Sequence, residues 1–175
     1  MALQESGQFP KGVNFLYVPI NMEEDALSCS RPIQLSLDKL VSQGNLLVVS
    51  VPGAFSPLCT EEHLPNILTN LDKLDKLNIK NVVIYSMNDA FVMSAWGKLL
   101  IEKYKIDANK VIFASDPNGQ FSQANGLSTD RSKFGMSIRS ERFAMIVDDF
   151  VVKYLKKDAA GVENSGIKGI LAAKL

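Results

Sequence analysis

The chain has 175 residues, which suits one domain, 1–175, with a substantial core. Lys plus Arg and Asp plus Glu both number 19, so no net field favours nucleic acid or an anionic membrane. No apolar run approaches the roughly 18 residues of a membrane span, and no basic stretch followed by an apolar one marks the start as a secretory signal.

Residues 1 to 11 have little periodicity. Val13 to Ile20 alternates weakly and reads as an edge strand, because Pro19 cannot donate to a ladder. Asn21 to Pro32 is polar and turn-rich, and Cys29 lies within it. A cysteine in a polar segment can travel to meet another sulfur; one in a core strand cannot. Leu35 to Val41 reads as a short helix or turn that ends near Gly44. Leu46 to Val51 is a continuous apolar run, the pattern of a strand covered on both faces in a parallel sheet.

Pro52-Gly53-Ala54-Phe55-Ser56-Pro57-Leu58-Cys59 follows. Ser56 and Pro57 read as an N-cap and first helical residue, with Glu61 and Glu62 as dipole-compensating acids. A cysteine at such a strand-to-helix junction meets unpaired N–H groups that favour an anion, here the thiolate. The competing reading of Cys59 is a small buried hydrophobe. Leu64, Ile67, Leu68, Leu71 and Leu74 form one helix face, and Pro65 predicts a kink within it.

Val82 to Met87 is a second strand-like run. Phe91 to Tyr104 has helical spacing through Val92, Ala95, Trp96 and Leu99, with Trp96 and Phe91 as core or dimer-face residues. Val111 to Ala114 reads as a third strand, stopped by the turn Asp116-Pro117-Asn118-Gly119. A short helix is expected over Gln120 to Asn125, closed by Gly126. Phe143 to Val147 and Val151 to Leu155 flank a hairpin turn at Asp148-Asp149-Phe150. Ile167, Ile170, Leu171 and Leu175 suggest a terminal amphipathic helix. The order β-α-β-α-β, then hairpin and helix, predicts an α/β chain with a central mixed sheet and helices on both faces. A thioredoxin-like fold fits that order; a flavodoxin-like fold needs uniformly parallel strands, which the hairpin contradicts.

Two cysteines are too few for a secreted disulfide scaffold, and in a reducing compartment such a pair points to catalysis or redox chemistry. With His63 as the one histidine, no ligand cluster has the usual zinc spacing, so no metal is expected. The glycines Gly161, Gly166 and Gly169 lack the preceding strand that a phosphate loop requires. His63 lies one turn from Cys59, as a catalytic base of a Cys–His hydrolase would, but such enzymes bring the two from separate segments. A histidine that packs or caps locally is the simpler reading.

The eight residues ending at Cys59 resemble the peroxiredoxin signature Pro-x-x-x-Thr/Ser-x-x-Cys through Pro52, Ser56 and Cys59. Cys59-Thr60-Glu61-Glu62-His63-Leu64-Pro65, Asn88-Asp89-Ala90-Phe91-Val92-Met93, Ala95-Trp96, Ser115-Asp116-Pro117-Asn118-Gly119 and Ser140-Glu141-Arg142-Phe143-Ala144 extend the resemblance. Together they look like the type II (atypical) peroxiredoxins of fungi and plants, from about Lys11 onward. The resemblance implies a thioredoxin-like fold and reduction of hydrogen peroxide and alkyl hydroperoxides, without metal, haem or flavin. It implies Cys59 as the peroxidatic cysteine, with Pro52, Ser56 and Arg142 as its activating neighbours. Ser56 stands where the family more often has Thr, which keeps the hydroxyl and drops a methyl contact. Arg139 is the rival to Arg142; three residues apart on an extended strand, the two would face opposite ways.

Cys29-Ser30-Arg31-Pro32 resembles the region of fungal alkyl hydroperoxide reductases where a resolving cysteine precedes a proline. In that branch the disulfide joins two subunits of a dimer; the sequence leaves open whether Cys29 meets its own Cys59 or a partner's, and the resemblance implies a homodimer with thioredoxin or a glutathione/glutaredoxin system as reductant. Two alternatives stay open: a one-cysteine, glutathione-dependent peroxidase with Cys29 idle, and a redox-regulated binding or chaperone protein on the same fold. Ala173-Lys174-Leu175 resembles the Ser-Lys-Leu peroxisomal address, so the peroxisome is the expected location, with the cytoplasm as the alternative.

Overall fold

Asn45–Ser50 is apolar apart from its two ends, and all six of its side chains are buried, as a strand at the centre of a two-sided sheet must be. This strand is β3 in a computed structural model that describes residues 2–175. The other strands are β1 (Asn14–Tyr17), β2 (Ile33–Ser36), β4 (Ile79–Ser86), β5 (Ile112–Ser115), β6 (Ser128–Asp130), β7 (Ile138–Ser140), β8 (Phe143–Asp148) and β9 (Val151–Lys157). Seven of them form one sheet in the order β2-β1-β5-β4-β3-β8-β9. Strands β3, β4 and β5 run parallel, and their neighbours on both sides pair antiparallel. The mixed α/β sheet is the thioredoxin-like arrangement expected above.

Alternation along β3 divides the core. Leu47 and Val49 face a layer with Leu64, Ile67, Trp96, Leu100, Ile167 and Ile170. Leu46 and Val48 face the opposite layer with Phe15, Leu37, Leu40, Tyr85 and Phe121. Helices α2 (Leu64–Leu68), α3 (Ala90–Tyr104) and α5 (Ile167–Leu171) therefore cover one face. Helices α1 (Leu37–Val41) and α4 (Gln120–Ala124) cover the other.

Four details depart from the sequence reading. Strand β1 is no edge: it lies between β2 and β5, and Pro19 falls beyond its last residue, where no ladder bond is lost. Residues 33–36 form a strand before α1 begins. The ribbon of β6 and β7 was not anticipated, because three-residue strands rich in serine carry no periodic signal. Helix α3 is rotated by about one residue. Met93, Trp96, Leu100 and Ile101 point inward, whereas Ala95 is exposed and Leu99 and Phe91 are 51% and 52% exposed. The helix is apolar on more than one side, so spacing alone could not choose the buried face. Gly97 decides it: a Cβ there would come within 2.7 Å of Phe113 and Ile20 side-chain atoms, so only glycine lets α3 lie this close to β5.

The β8–β9 hairpin turns through Asp149 and Phe150, both with positive φ, the backbone form that matches the twist of the paired strands. Its register sets Phe143 opposite Ser50, so Arg142 arrives beside the end of β3, where Pro52 begins the motif.

Candidate active site

The Pro52–Cys59 segment is held at both ends. Pro52 and Gly53 are buried at the exit of β3. The Ala54 N–H donates to Asn88 Oδ1 at 2.9 Å, and the Ser86 hydroxyl donates to the same oxygen at 2.9 Å. Phe55 is left-handed, with φ of 60°, a conformation that costs a non-glycine residue about 1 kcal/mol. Its ring is half exposed and lies 6.2 Å from that of Trp96.

Ser56 is not the N-cap that the sequence suggested. Its hydroxyl donates back to the Gly53 carbonyl at 2.8 Å and tightens the turn, while its own carbonyl accepts from Thr60 N–H at 2.9 Å. Cys59 lies in a π-helical turn, Leu58–His63, and the Leu64 N–H donates to the Cys59 carbonyl five residues back. Pro65 enters in the first turn of α2, so the expected kink takes the form of a change from π to α pitch. Such wide turns collect at functional positions.

Cys59 is completely buried, and its neighbours come from far along the chain. Arg142 Nη2 donates to Cys59 Sγ at 3.2 Å, and Arg142 Nη1 donates to His63 Nδ1 at 2.8 Å. Arg142 is itself only 8% exposed. The short link between β7 and β8 that bears it is lashed to the end of β3 by two serines: Ser50 Oγ donates to the Glu141 carbonyl at 2.7 Å, and Ser140 Oγ donates to the Val51 carbonyl at 2.9 Å. Arg139 does not take part; its Nε donates to the Met136 carbonyl. Of the two arginines, Arg142 meets the sulfur and Arg139 bonds within its own turn.

His63 is buried and bonded on both sides, its Nε2 to the Ser165 carbonyl at 3.1 Å. A carbonyl only accepts and a guanidinium only donates, so the ring is neutral, with its proton on Nε2 and its lone pair on Nδ1. Burial, opposed by the Ser165 bond and assisted by the Arg142 charge, lowers its pKa from 6.5 to about 4. A ring so engaged has no free lone pair for the Cys59 proton, which removes the Cys–His hydrolase reading. Instead it holds Arg142.

Cys29 is exposed and Cys59 buried, and both are free thiols. The Cys29 segment is tied to α3 by Lys98, a mostly buried residue whose Nζ donates to the Ser28 carbonyl. Of the residues singled out from sequence, Cys59, Arg142 and His63 are thus brought together, Pro52 and Ser56 lie in the turn that leads to Cys59, and Cys29 is exposed on the surface. Ser165, and Asp158 behind it, were missed. A serine and an aspartate in a polar loop, roughly a hundred residues from Cys59, carry no local signal.

A guanidinium pressed against a buried thiol is an arrangement for stabilising sulfur as an anion, and for receiving charge on an atom bonded to it. Comparison with known proteins agrees. The family profile described as Redoxin matches residues 5–171. The chain belongs to the redoxin family. Within that family, this redoxin is 39% identical over 167 residues to a protein of Lipomyces kononenkoae named as a peroxisomal peroxiredoxin, covering 95% of this chain and 98% of that one. It is 34% identical over 171 residues to the peroxiredoxin AHP1 of Chaetomium thermophilum, covering 97% and 93%. The crystal structure of reduced Prx3 from Vibrio vulnificus in complex with hydrogen peroxide superposes with a TM-score of 0.79 at 30% identity, covering 97% and 98% of the two chains.

Proposed function

We propose that this redoxin is a thiol-dependent peroxidase that reduces hydrogen peroxide and alkyl hydroperoxides at Cys59. The observation that carries the reading is the 3.2 Å contact of Arg142 with a fully buried Cys59 sulfur. The thiolate attacks one peroxide oxygen along the O–O axis. The O–O bond breaks, its electron pair leaves with the other oxygen, and that oxygen takes a proton to become water or an alcohol. Sulfur keeps the first oxygen as sulfenic acid. Arg142 stabilises the thiolate beforehand and the departing oxygen during the step; the Ser56 hydroxyl and Pro52 shape and dry the approach.

Cys29 is the resolving thiol in this reading. Its sulfur displaces the sulfenic oxygen as water and forms a disulfide, which thioredoxin or a glutathione system returns to two thiols. Since Cys59 is enclosed and Cys29 exposed, the π turn must open for the sulfurs to meet. Its i to i−5 bond makes it the least regular helical turn around the cysteine. A partner subunit's Cys29 meets this need in a homodimer. The L. kononenkoae relative's name supports a peroxisomal location, with the cytoplasm as the alternative.

Stopped-flow mixing with hydrogen peroxide tests the activity: a Cys59→Ser variant that consumes peroxide as fast as wild type sinks it. Non-reducing electrophoresis after peroxide tests the resolution. A disulfide-linked dimer that disappears in Cys29→Ser supports the two-subunit scheme. A glutathione adduct on Cys59 without a dimer supports the one-cysteine scheme instead. An amino-terminal fluorescent fusion that remains cytoplasmic with Ala173-Lys174-Leu175 intact contradicts the location.

A further inference from the structure

Arg142 is held by more than its contact with sulfur. Behind His63 lies the turn between Asp158 and Ser165, whose bonds form a closed ring through the site. The Asp158 carboxylate accepts from Ser165 N–H at 2.7 Å, from Ser165 Oγ at 2.7 Å, and from Asn164 N–H and Nδ2 at 3.1 and 2.9 Å. The Tyr154 hydroxyl donates to the Asn164 carbonyl at 2.7 Å, which ties the turn to β9. The fixed Ser165 carbonyl receives His63 Nε2, His63 Nδ1 receives Arg142 Nη1, and Arg142 Nη2 reaches Cys59. The Asp158 N–H then donates to the Arg142 carbonyl at 2.9 Å and closes the ring.

We propose that the Asp158–Ser165 turn is a positioning element for the peroxide reaction, which aims the Arg142 guanidinium at Cys59 by fixing the tautomer and orientation of His63. Donor and acceptor identity fixes the ring. With the proton on Nδ1 instead, the ring would set an N–H against the guanidinium and a lone pair against the Ser165 carbonyl, two repulsive contacts in a buried space. The carbonyl prevents this only while it stays in place. Ser165 is fully buried, and its N–H and hydroxyl are both held by one carboxylate oxygen. Asp158 therefore touches neither sulfur nor peroxide and acts through Ser165, His63 and Arg142 in turn. A misplacement of about 1 Å can cost a catalytic group roughly a hundredfold in rate.

This inference rests on the peroxidase reading, and its test separates the two. The second-order rate of Cys59 with hydrogen peroxide is measured in a first turnover, beside its rate with iodoacetamide, which has no departing oxygen for Arg142 to stabilise. Both are read well below each variant's unfolding temperature. Asp158→Asn turns one acceptor into a donor facing the Ser165 or Asn164 donors; it is expected to slow the peroxide reaction about tenfold and the iodoacetamide reaction less. His63→Leu is expected to slow peroxide more. His63→Gln, whose amide can donate to Ser165 and accept from Arg142, should stay within about threefold of wild type. A folded Asp158→Asn protein with the wild-type peroxide rate overturns the inference. So do equal losses in His63→Leu and His63→Gln, a comparison that decides the matter if Asp158→Asn does not fold. A wild-type protein no faster with peroxide than a free thiol would instead overturn the peroxidase reading itself.

Discussion

Acidification gives a sharp test of the site, because His63 is the chain's one histidine. In the unfolded chain its imidazole protonates near pH 6.5; in the folded protein it stays neutral until about pH 4, because it is buried and accepts from Arg142. Between these values the unfolded state binds the extra proton and the folded state does not, so stability rises with pH across the window and falls as the solution is acidified. At about 1.4 kcal/mol per pH unit, a window of roughly 2.5 units corresponds to about 3 kcal/mol lost between pH 6.5 and pH 4. The assay is urea unfolding at pH 7.5, 6.5, 5.5 and 4.5, for wild type and His63→Gln. Glutamine has no titration there, so the variant should show a flatter dependence down to pH 4.5. The Asp158 carboxyl, pushed up by burial but held below its ordinary value by the stronger sum of its Ser165 and Asn164 bonds, adds its own loss only below that range. Parallel stability curves for the two proteins would refute the neutral, doubly bonded His63 described here.

Three further outcomes follow from the geometry. Arg142→Lys keeps the charge but replaces a planar fork with one ammonium, which cannot span Cys59 and His63 together. The peroxide rate should fall about a hundredfold, and a wild-type rate would show that charge alone suffices. Ser56→Ala removes the hydroxyl bond to Gly53 and should cost about 1 kcal/mol in chemical denaturation; no change would mean that the turn holds without it. Gly97→Ala forces a methyl into Phe113 and Ile20 and should destabilise by about 1–3 kcal/mol, read as a lowered unfolding midpoint.

Local features of the site were legible in the sequence because their physics is local. The apolar run into β3, the proline-bounded turn and Cys59 lie within fifteen residues, and the hairpin announces itself by two strand-like runs flanking Asp148-Asp149-Phe150. The placement of Arg142 beside Cys59 was legible only by resemblance, since a lone arginine before a strand has no signature. The ring through Asp158, Ser165 and His63 was not legible, because its bonds join residues 79 and 102 positions apart. The Ser56 reading failed for a different reason. Ser-Pro before a helical run is good capping chemistry, yet the π turn displaced the helix start and the hydroxyl found the Gly53 carbonyl instead. The phase of α3 failed because its sequence offers two apolar faces, and the choice between them depends on how closely Gly97 lets Phe113 approach.

Cleavage of peroxide at the Cys59 sulfur is the step on which the proposed activity depends. Its most direct measurement uses the Cys29→Ser variant, which leaves the oxidised cysteine without a partner. One equivalent of hydrogen peroxide is added in the presence of dimedone, which traps sulfenic acid, and the protein is mapped by mass spectrometry. One adduct per chain is expected, on Cys59, with far less at early times in the Arg142→Lys background. Persisting peroxide with an unmodified Cys59 would contradict the proposed activity.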